Sequence, residues 1–544
     1  MTGAFARAAA LDRMTSEHYD VLVIGGGITG AGVALDAAAR GLRTALLERR
    51  DFAAGTSSKS SKLVHGGLRY LQQRELRLVR ANLAERQRLL ANAPHLVRPL
   101  AFVVPLLGAG GVVSEALARG YSTALWAYDL SGGVRIGHRH RRLPPGDVLA
   151  ALPALARGRV ASGFEYHDAF ADDARLTLAV VRTAVLDHGA VAANHAPVAG
   201  LLSGGGRVHG AVLEDGSEVR AGVVVNAAGV WADQVDALHR GDRHPMLRPA
   251  KGIHVTVERS RLPVGTAAVL PVPGDGRSIF VVPWGDRVYI GTTDTEYAGA
   301  LDDPPCTADD VAYLLAAANA AVAEPLRPSD VVGTWAGLRP LLDDVRSKRT
   351  SDLSRRHRVT ADANMVTVTG GKLTTYRRMA ADAVDRVVAI LGRGARRSPT
   401  AKIRLHGSLP SDPPGAGPLD AAAAAHLASR YGSEASIVAA LVAADPDLAR
   451  PLVPGLPYLR AEAVHAARAE MAHTLDDVLS RRTRARILAR DASSAAATDV
   501  ARLLAPELGW SPARAADEAA AYVAASSAER AAAGLAPTVA GPSQ

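Results

Sequence analysis

Cysteine is nearly absent: the 544 residues contain one, Cys306. A single thiol excludes an intramolecular disulfide framework and a multi-cysteine metal or cluster site, and it fits a reducing compartment. No other metal-ligand set is read from the chain. Aromatic residues make up only 4%, so the core has to be built mostly from Ala, Val and Leu. No run reaches the ~18 apolar residues of a membrane span. The best candidate, LAFVVPLLGAGGVV (100–113), is short and broken by Pro105 and several glycines. Residues 1–17 lack the apolar centre of a secretory signal. Charge of one sign is only mildly in excess, 63 Lys+Arg against 54 Asp+Glu, a net +9. That leans toward anionic small molecules or anionic membrane surfaces, yet a chain this long also carries it with no partner. The basic cluster RIGHRHRRL (135–143) has no interleaved aromatics, so nucleic acid is not expected as a partner.

What is present begins at residue 19. YDVLVIGGGITGAGVALDAAARGLRTALLERRDF (19–52) reads as a buried parallel strand, a glycine turn, a helix of small residues ended by Gly41, and a second strand ending at Glu48. Gly25, Gly27 and Gly30 make G-x-G-x-x-G. The first glycine permits the turn, the second lets the backbone approach a pyrophosphate, and the third lets helix and strand pack closely. The helix N-terminus then offers N–H groups and a positive dipole end to phosphates. Glu48 follows Gly30 by 18 residues, where a carboxylate accepts from ribose hydroxyls and repels the 2′-phosphate of NADP. Glycines alone would fit a structural turn. The strand before, the helix after and the acid at this distance favour a dinucleotide site.

The motif does not separate FAD from NAD, but the organisation leans toward FAD. Residues 73–91 read as an amphipathic helix, and residues 100–150 read as irregular. Between 160 and 300 the texture is hairpin-like, with turns at Asp215-Gly216 and Gly285-Asp286. Near 366 a strand, a Gly-Gly turn and a helix return, so the nucleotide unit is interrupted by a mainly β insert and completed later. Residues 392–420 are rich in Gly, Pro and basic residues, as linkers are, and the chain beyond is helical. The expected organisation is an N-terminal extension (1–17), an FAD-dependent oxidoreductase region (18–395), a linker (396–420), a helical C-terminal domain (421–534) and a tail (535–544). The fold class is α/β: a Rossmann-like FAD-binding domain with an inserted, mainly antiparallel β substrate domain, plus an all-α C-terminal domain.

VIGGGITGAG (23–32), GTSSKSSKLVHGGLRYL (55–71), VVNAAGVWAD (224–233), IGTTDTEY (290–297), GLRPLL (337–342) and GGKLTTYR (370–377) stand in this order. With them the chain resembles the FAD-dependent glycerol-3-phosphate dehydrogenases of the glycine-oxidase-like flavoprotein superfamily, and AEMAHTLDDVLSRRTRARILA (469–489) resembles that family's C-terminal domain. Ala228 and Ala336 stand where the family often has Thr and Ser. The resemblance implies oxidation of glycerol 3-phosphate to dihydroxyacetone phosphate with FAD, electrons passed to a quinone-type acceptor, and a cytoplasmic protein held peripherally at the inner face of the plasma membrane. A homodimer is left open.

The resemblance also implies roles for individual residues. Arg69 and Arg339 would fork onto the phosphate, where charge-assisted bonds contribute roughly 1.5–3 kcal/mol each. Tyr70 would orient a substrate hydroxyl. Ser57 and Ser58 would meet the flavin pyrophosphate and ribityl chain. Gly371, Lys372, Leu373 and a helix starting at Thr374 would face the flavin edge that gains charge on reduction. Thr293 and Asp294 would lie near the ring, and Asp294 and Lys372 at the substrate too. The alcohol proton needs an acceptor. Arginine cannot take it, its pKa being above ~12, so the candidates are His65 and His254, with Arg339 completing the catalytic group. Read without the family, Arg69 is a surface ion pair, TSSKSSK a Ser-rich turn, and GGKLTTYR a Gly-Gly turn with a solvated lysine. Two rival functions follow: an amino-acid oxidase of the same fold, which needs one cation for a carboxylate, and a non-catalytic flavin-binding redox sensor, which needs none of these cations.

Overall fold

The computed structural model describes residues 5–68, 75–108, 110, 114–241, 246–275, 277–342, 357–394, 396–409 and 419–536. A helix over Arg7–Ser16 (α1) precedes the strand His18–Ile24 (β1), in which six of seven side chains are buried. An unbroken apolar run needs cover on both faces, as at the centre of a parallel sheet. β1 indeed runs parallel to Thr44–Leu47 (β2) on one side and to Glu218–Asn226 on the other. The helix Ile28–Ala39 (α2) crosses between β1 and β2. Strand Met365–Thr369 lies parallel to Glu218–Asn226 in the same sheet. The helix after it, Tyr376–Ile390, packs on α2, where a side chain at Gly32 would meet the ring of Tyr376 at 2.7 Å. The nucleotide unit is therefore split in sequence and closed in space.

The insert forms a second, ten-stranded and largely antiparallel sheet. Its longest pairings join Leu247–Glu258 to Val331–Leu342 and Val97–Leu107 to Val160–Ala171. The hairpin turns at Gly285-Asp286, between Trp284 and Arg287, as its sequence predicts. Glu218–Asn226 is one strand that serves both as the hairpin arm after the Asp215-Gly216 turn and as a member of the parallel sheet. Alternating burial at its start becomes continuous as it passes from the antiparallel edge to the parallel centre.

Three expectations are corrected. Residues 100–150 are not irregular: those described include most of the strand Val97–Leu107 and the helices Glu115–Leu130 and Pro145–Ala151. Pro99 and Pro105 are tolerated because the far edge of that strand is paired only at Phe102 and Val103. Residues 7–16 are no loose extension, since Arg7 donates to the carbonyls of Asn194 (2.8 Å) and His195 (2.7 Å), and Ala10 and Met14 are buried. Within the Gly/Pro-rich stretch, residues 398–408 are docked: Leu405 is in the core and Ser398 bonds Asp36. Composition alone reported the turns there and not the anchors.

The C-terminal helices include Ala421–Tyr431, Arg460–Ala469, Ala497–Leu508 and Pro512–Ala532. They share one apolar core with the second sheet, through Phe102, Tyr289 and Trp335 against Leu479 and Leu488. The approach is close enough that a side chain on Gly333 would meet the carbonyl of Ile487 at 2.2 Å.

His406 ties this region to the nucleotide unit. Its Nδ1 faces Asp187 (3.1 Å) and its Nε2 faces Glu434 (3.2 Å). The two carboxylates raise its pKa to about 9, above the ~6.5 of an unfolded chain. A raised folded-state pKa gives stabilisation that is complete below about pH 6.5 and is lost as pH rises through 9. The Tm of His406→Gln should fall short of the parent protein's at pH 6, with the gap closing by pH 9.5. A gap that stays constant across that range would contradict the pairing.

Candidate active site

A cleft of about 630 Å³ opens between the two sheets. At one end stands the glycine turn. Gly25 has φ +111°, and a side chain there would meet the carbonyl of Ala227 at 2.7 Å. A Cβ on Gly30 would fall 1.8 Å from the carbonyl of Gly25, so Gly30 serves helix–strand packing and does not line the cleft. Gly27 caps α2, and the N–H of Ile28, one residue into the helix, donates to Ser57 Oγ at 2.8 Å. Glu48 lines the cleft at the end of β2 and accepts from the N–H groups of Gly26 (2.6 Å) and Arg50 (2.8 Å). Burial holds its pKa above the usual carboxylate value despite those donors.

This end fits a dinucleotide on its own terms. The glycines let the backbone itself form the cleft wall at the turn, α2 presents its N-terminus, and Trp231 lines the cleft with a buried indole N–H that has no partner among the described residues. Arg49 lies over the Trp231 ring at 4.6 Å. Trp231 was not singled out from the sequence, although it stands in the quoted stretch VVNAAGVWAD; an indole inside a family motif was the available signal.

At the other end the cleft is lined by His65, His254, Arg339, Gly371, Lys372, Leu373 and Thr374. Gly370 and Gly371 take φ of +74° and +84° and release the chain into a short turn, Leu373–Thr375, which continues as the helix Tyr376–Ile390. Thr374 thus sits at a helix entrance, two residues ahead of the α-helix proper. Its hydroxyl accepts from the N–H of His65 at 3.3 Å, joining two segments far apart in sequence. Arg339 lies near the end of the long strand Val331–Leu342. Its guanidinium is oriented by Asp294 (3.0 Å) and the carbonyl of Thr293 (3.0 Å). Thr293 and the side chain of Asp294 are buried, and neither residue lines the cleft wall. Asp294 therefore meets Arg339 rather than the open space, and Thr292 is the member of that loop that lines it. Ser58 is also off the wall: it is buried, and its carbonyl accepts from Lys62 Nζ at 3.3 Å. Its neighbour Ser57 lines the cleft. Arg69 and Tyr70 lie outside the described residues.

The two histidines differ. His254 is buried, stacked on Trp335 at 4.6 Å and 7°, and its Nε2 bonds Ser61 Oγ at 2.8 Å. Burial, with the nearby charges of Lys62 and Arg339, drives its pKa well below the usual imidazole value, so it is neutral. His65 presents its ring edge-on to Phe280 at 6.4 Å. Lys62, which the sequence offered only as part of a Ser/Lys-rich loop, is fully buried, and desolvation lowers its pKa to about 8 against the attraction of Asp173.

Known proteins resemble this chain over most of its length. Residues 20–377 match the family described as FAD dependent oxidoreductase, and residues 366–515 match the C-terminal domain of alpha-glycerophosphate oxidase. Glycerol-3-phosphate dehydrogenase 2 of Mycobacterium tuberculosis is 42% identical over 538 residues, covering 96% of this chain and 90% of its own. A mitochondrial glycerol-3-phosphate dehydrogenase of Arabidopsis thaliana is 36% identical over 554 residues, covering 93% and 86%. Among solved structures, the glycerol-3-phosphate dehydrogenase of Bacillus halodurans complexed with FAD superposes with a TM-score of 0.77 at 31% identity, covering 99% of this chain and 100% of that one.

Proposed function

The chain belongs to the FAD dependent oxidoreductase family and, within it, to the glycerol-3-phosphate dehydrogenases, and from that premise we propose that its cleft oxidises sn-glycerol 3-phosphate to dihydroxyacetone phosphate and passes the electrons to a quinone-type acceptor. The observation that carries this reading is the opening of Arg339, Lys372, His65 and His254 onto the same cleft as the nucleotide turn. FAD, when bound, supplies the acceptor for the hydride leaving the alcohol carbon. Gly25, Gly27, Glu48, Ser57 and Trp231 would hold its nucleotide part, and residues 371–374 the ring end.

The chain's own groups would do the rest. A dianionic phosphate needs fixed cations, and Arg339 is held in place by Asp294 and the Thr293 carbonyl. Lys372 lines the same end of the cleft, and Arg69 would add a further cation. For the hydroxyl proton we assign His65. His254 has its Nε2 engaged with Ser61 and its ring locked against Trp335, which suits it to hold Ser61 in the cleft wall. An amino-acid oxidase would call for one cation facing a carboxylate, and the cation set favours a phosphate.

Kinetics of two variants test these roles. Arg339→Ala should remove roughly 3 kcal/mol of charge-assisted bonding, about a hundredfold in kcat/KM for glycerol 3-phosphate. The loss for glycerol should be small, because glycerol has no phosphate to hold. An equal loss for both substrates at full flavin occupancy would mean that Arg339 does not read the phosphate. His65→Gln should lower kcat by about 10²-fold or more, the usual reach of a positioned base. A near-parental kcat would move the proton acceptor elsewhere.

Electron delivery to a quinone implies contact with a membrane, and we place it at the inner face of the plasma membrane, with the protein on the cytoplasmic side. No helix among the described residues is long and apolar enough to cross a bilayer. The support is an exposed apolar patch: Trp126 is 50% and Leu130 81% exposed on the helix Glu115–Leu130, and Val134 is 40% exposed just beyond. Arg135, Arg139 and Arg142 follow within the exposed basic stretch, a combination suited to an anionic interface. In flotation assays the protein should rise with anionic vesicles at low salt and less so at high salt. Failure to rise with either anionic or neutral vesicles would remove the surface contact.

A further inference from the structure

The loop from Asp51 to Lys62 shows the cleft only one of its sides. Ser57, Lys59, Ser60 and Ser61 line the wall. The opposite side is gripped by three arginines of the C-terminal region. Arg482 forks onto the Asp51 carboxylate, Nη1–Oδ2 2.6 Å and Nη2–Oδ1 2.8 Å, and Arg481 Nε adds a third bond at 2.6 Å. Arg484 donates to the carbonyl of Ser58 and pairs with Asp173 at 3.3 Å. Asp173 in turn accepts from the N–H (2.9 Å) and hydroxyl (2.7 Å) of Ser60 and from Lys62 (3.4 Å). Arg482 and Arg484 are 2% and 1% exposed, and Arg484 takes a left-handed φ of +106° to reach its partners. Removing these groups from water costs several kcal/mol per ion, so plain adhesion between domains is poorly served by them. Apolar contacts would do that at lower cost, and the shared core already does. A fork and a carbonyl acceptor do what apolar contacts cannot: they fix where a backbone lies.

Resting on the function proposed above, we infer that Arg482 and Arg484 are positioning residues for the redox site: from the C-terminal region they set the backbone of residues 51–62, and with it the cleft-facing hydroxyls of Ser57 and Ser61. Ser57 is bonded to the α2 entrance and Ser61 to His254, so a displaced loop disturbs both the nucleotide end and the reacting end.

Arg484→Lys keeps the charge and removes the Nη2 that reaches both the Ser58 carbonyl and Asp173. The control is Glu434→Gln, which weakens the contacts of Glu434 with Arg182 and His406 without touching residues 51–62. Arg484→Lys should lower kcat per bound flavin at least tenfold and speed FAD release at least tenfold, while its Tm falls no further than that of Glu434→Gln. Unchanged turnover per flavin and unchanged FAD release in Arg484→Lys would overturn the inference, as would equal losses in Glu434→Gln. The parent enzyme, assayed alongside, separates the two readings: if it does not turn over glycerol 3-phosphate, the assigned reaction fails, and FAD release still reports on the clamp. Should Arg484→Lys yield no folded protein, hydrogen exchange on the unmodified holoenzyme decides. Amides of 51–62 and 477–485 should open together, and loop amides that exchange while 477–485 stay protected would overturn the inference.

Discussion

The backbone of Gly25 lies directly beneath Gly30, so close that one methyl group on Gly30 would overlap the Gly25 carbonyl. That contact places the entrance of α2 against the end of β1 and so locates the nucleotide end of the cleft. One turn further on, Gly32 admits Tyr376 and Ala380 of the helix that follows Lys372. The same helix thus records the nucleotide turn on its inner face and carries the GGKLTT turn at its start. Two segments more than 300 residues apart in the chain (Gly25–Gly32 and 370–380) are held at one separation by the absence of side chains.

Charge does the complementary work on the far side of the cleft. Buried ion pairs are weak evidence of stability, because desolvation offsets much of the attraction. Their abundance between the C-terminal helices and the nucleotide unit, Arg175 with Glu470, Arg182 with Glu434 and Arg482 with Asp51, is better read as specification of geometry. Leaving any one carboxylate without its partner is costly, which gives the two regions a single docking arrangement. The apolar core they share supplies the adhesion, and the arginines supply the register.

Much of this was legible beforehand, and the reasons are local. The run DVLVI, the glycine spacing and Glu48 carry their meaning within 30 residues of sequence, so the strand–turn–helix and its acid could be read directly. The Gly285-Asp286 turn is equally local. Asp294 was harder: it stands beside Thr292 in the motif, and only the pairing of Leu247–Glu258 with Val331–Leu342 shows that it faces Arg339 and not the cleft. Strand Val97–Leu107 was hidden by its prolines. Lys62, Trp335 and the arginines of 481–484 were illegible as a group because their contacts span the whole chain. No spacing rule connects Arg484 to the carbonyl of Ser58.

Anaerobic reduction of the bound flavin by a panel of glycerol 3-phosphate, glycerol and several amino acids tests the reaction most directly, since it needs no assumption about the final electron acceptor. Glycerol 3-phosphate should bleach the oxidised flavin spectrum at least as fast as the enzyme turns over, with glycerol far slower and amino acids inert. Bleaching by an amino acid in preference to glycerol 3-phosphate, or by none of them, would contradict the assignment of the cleft to a phosphorylated alcohol.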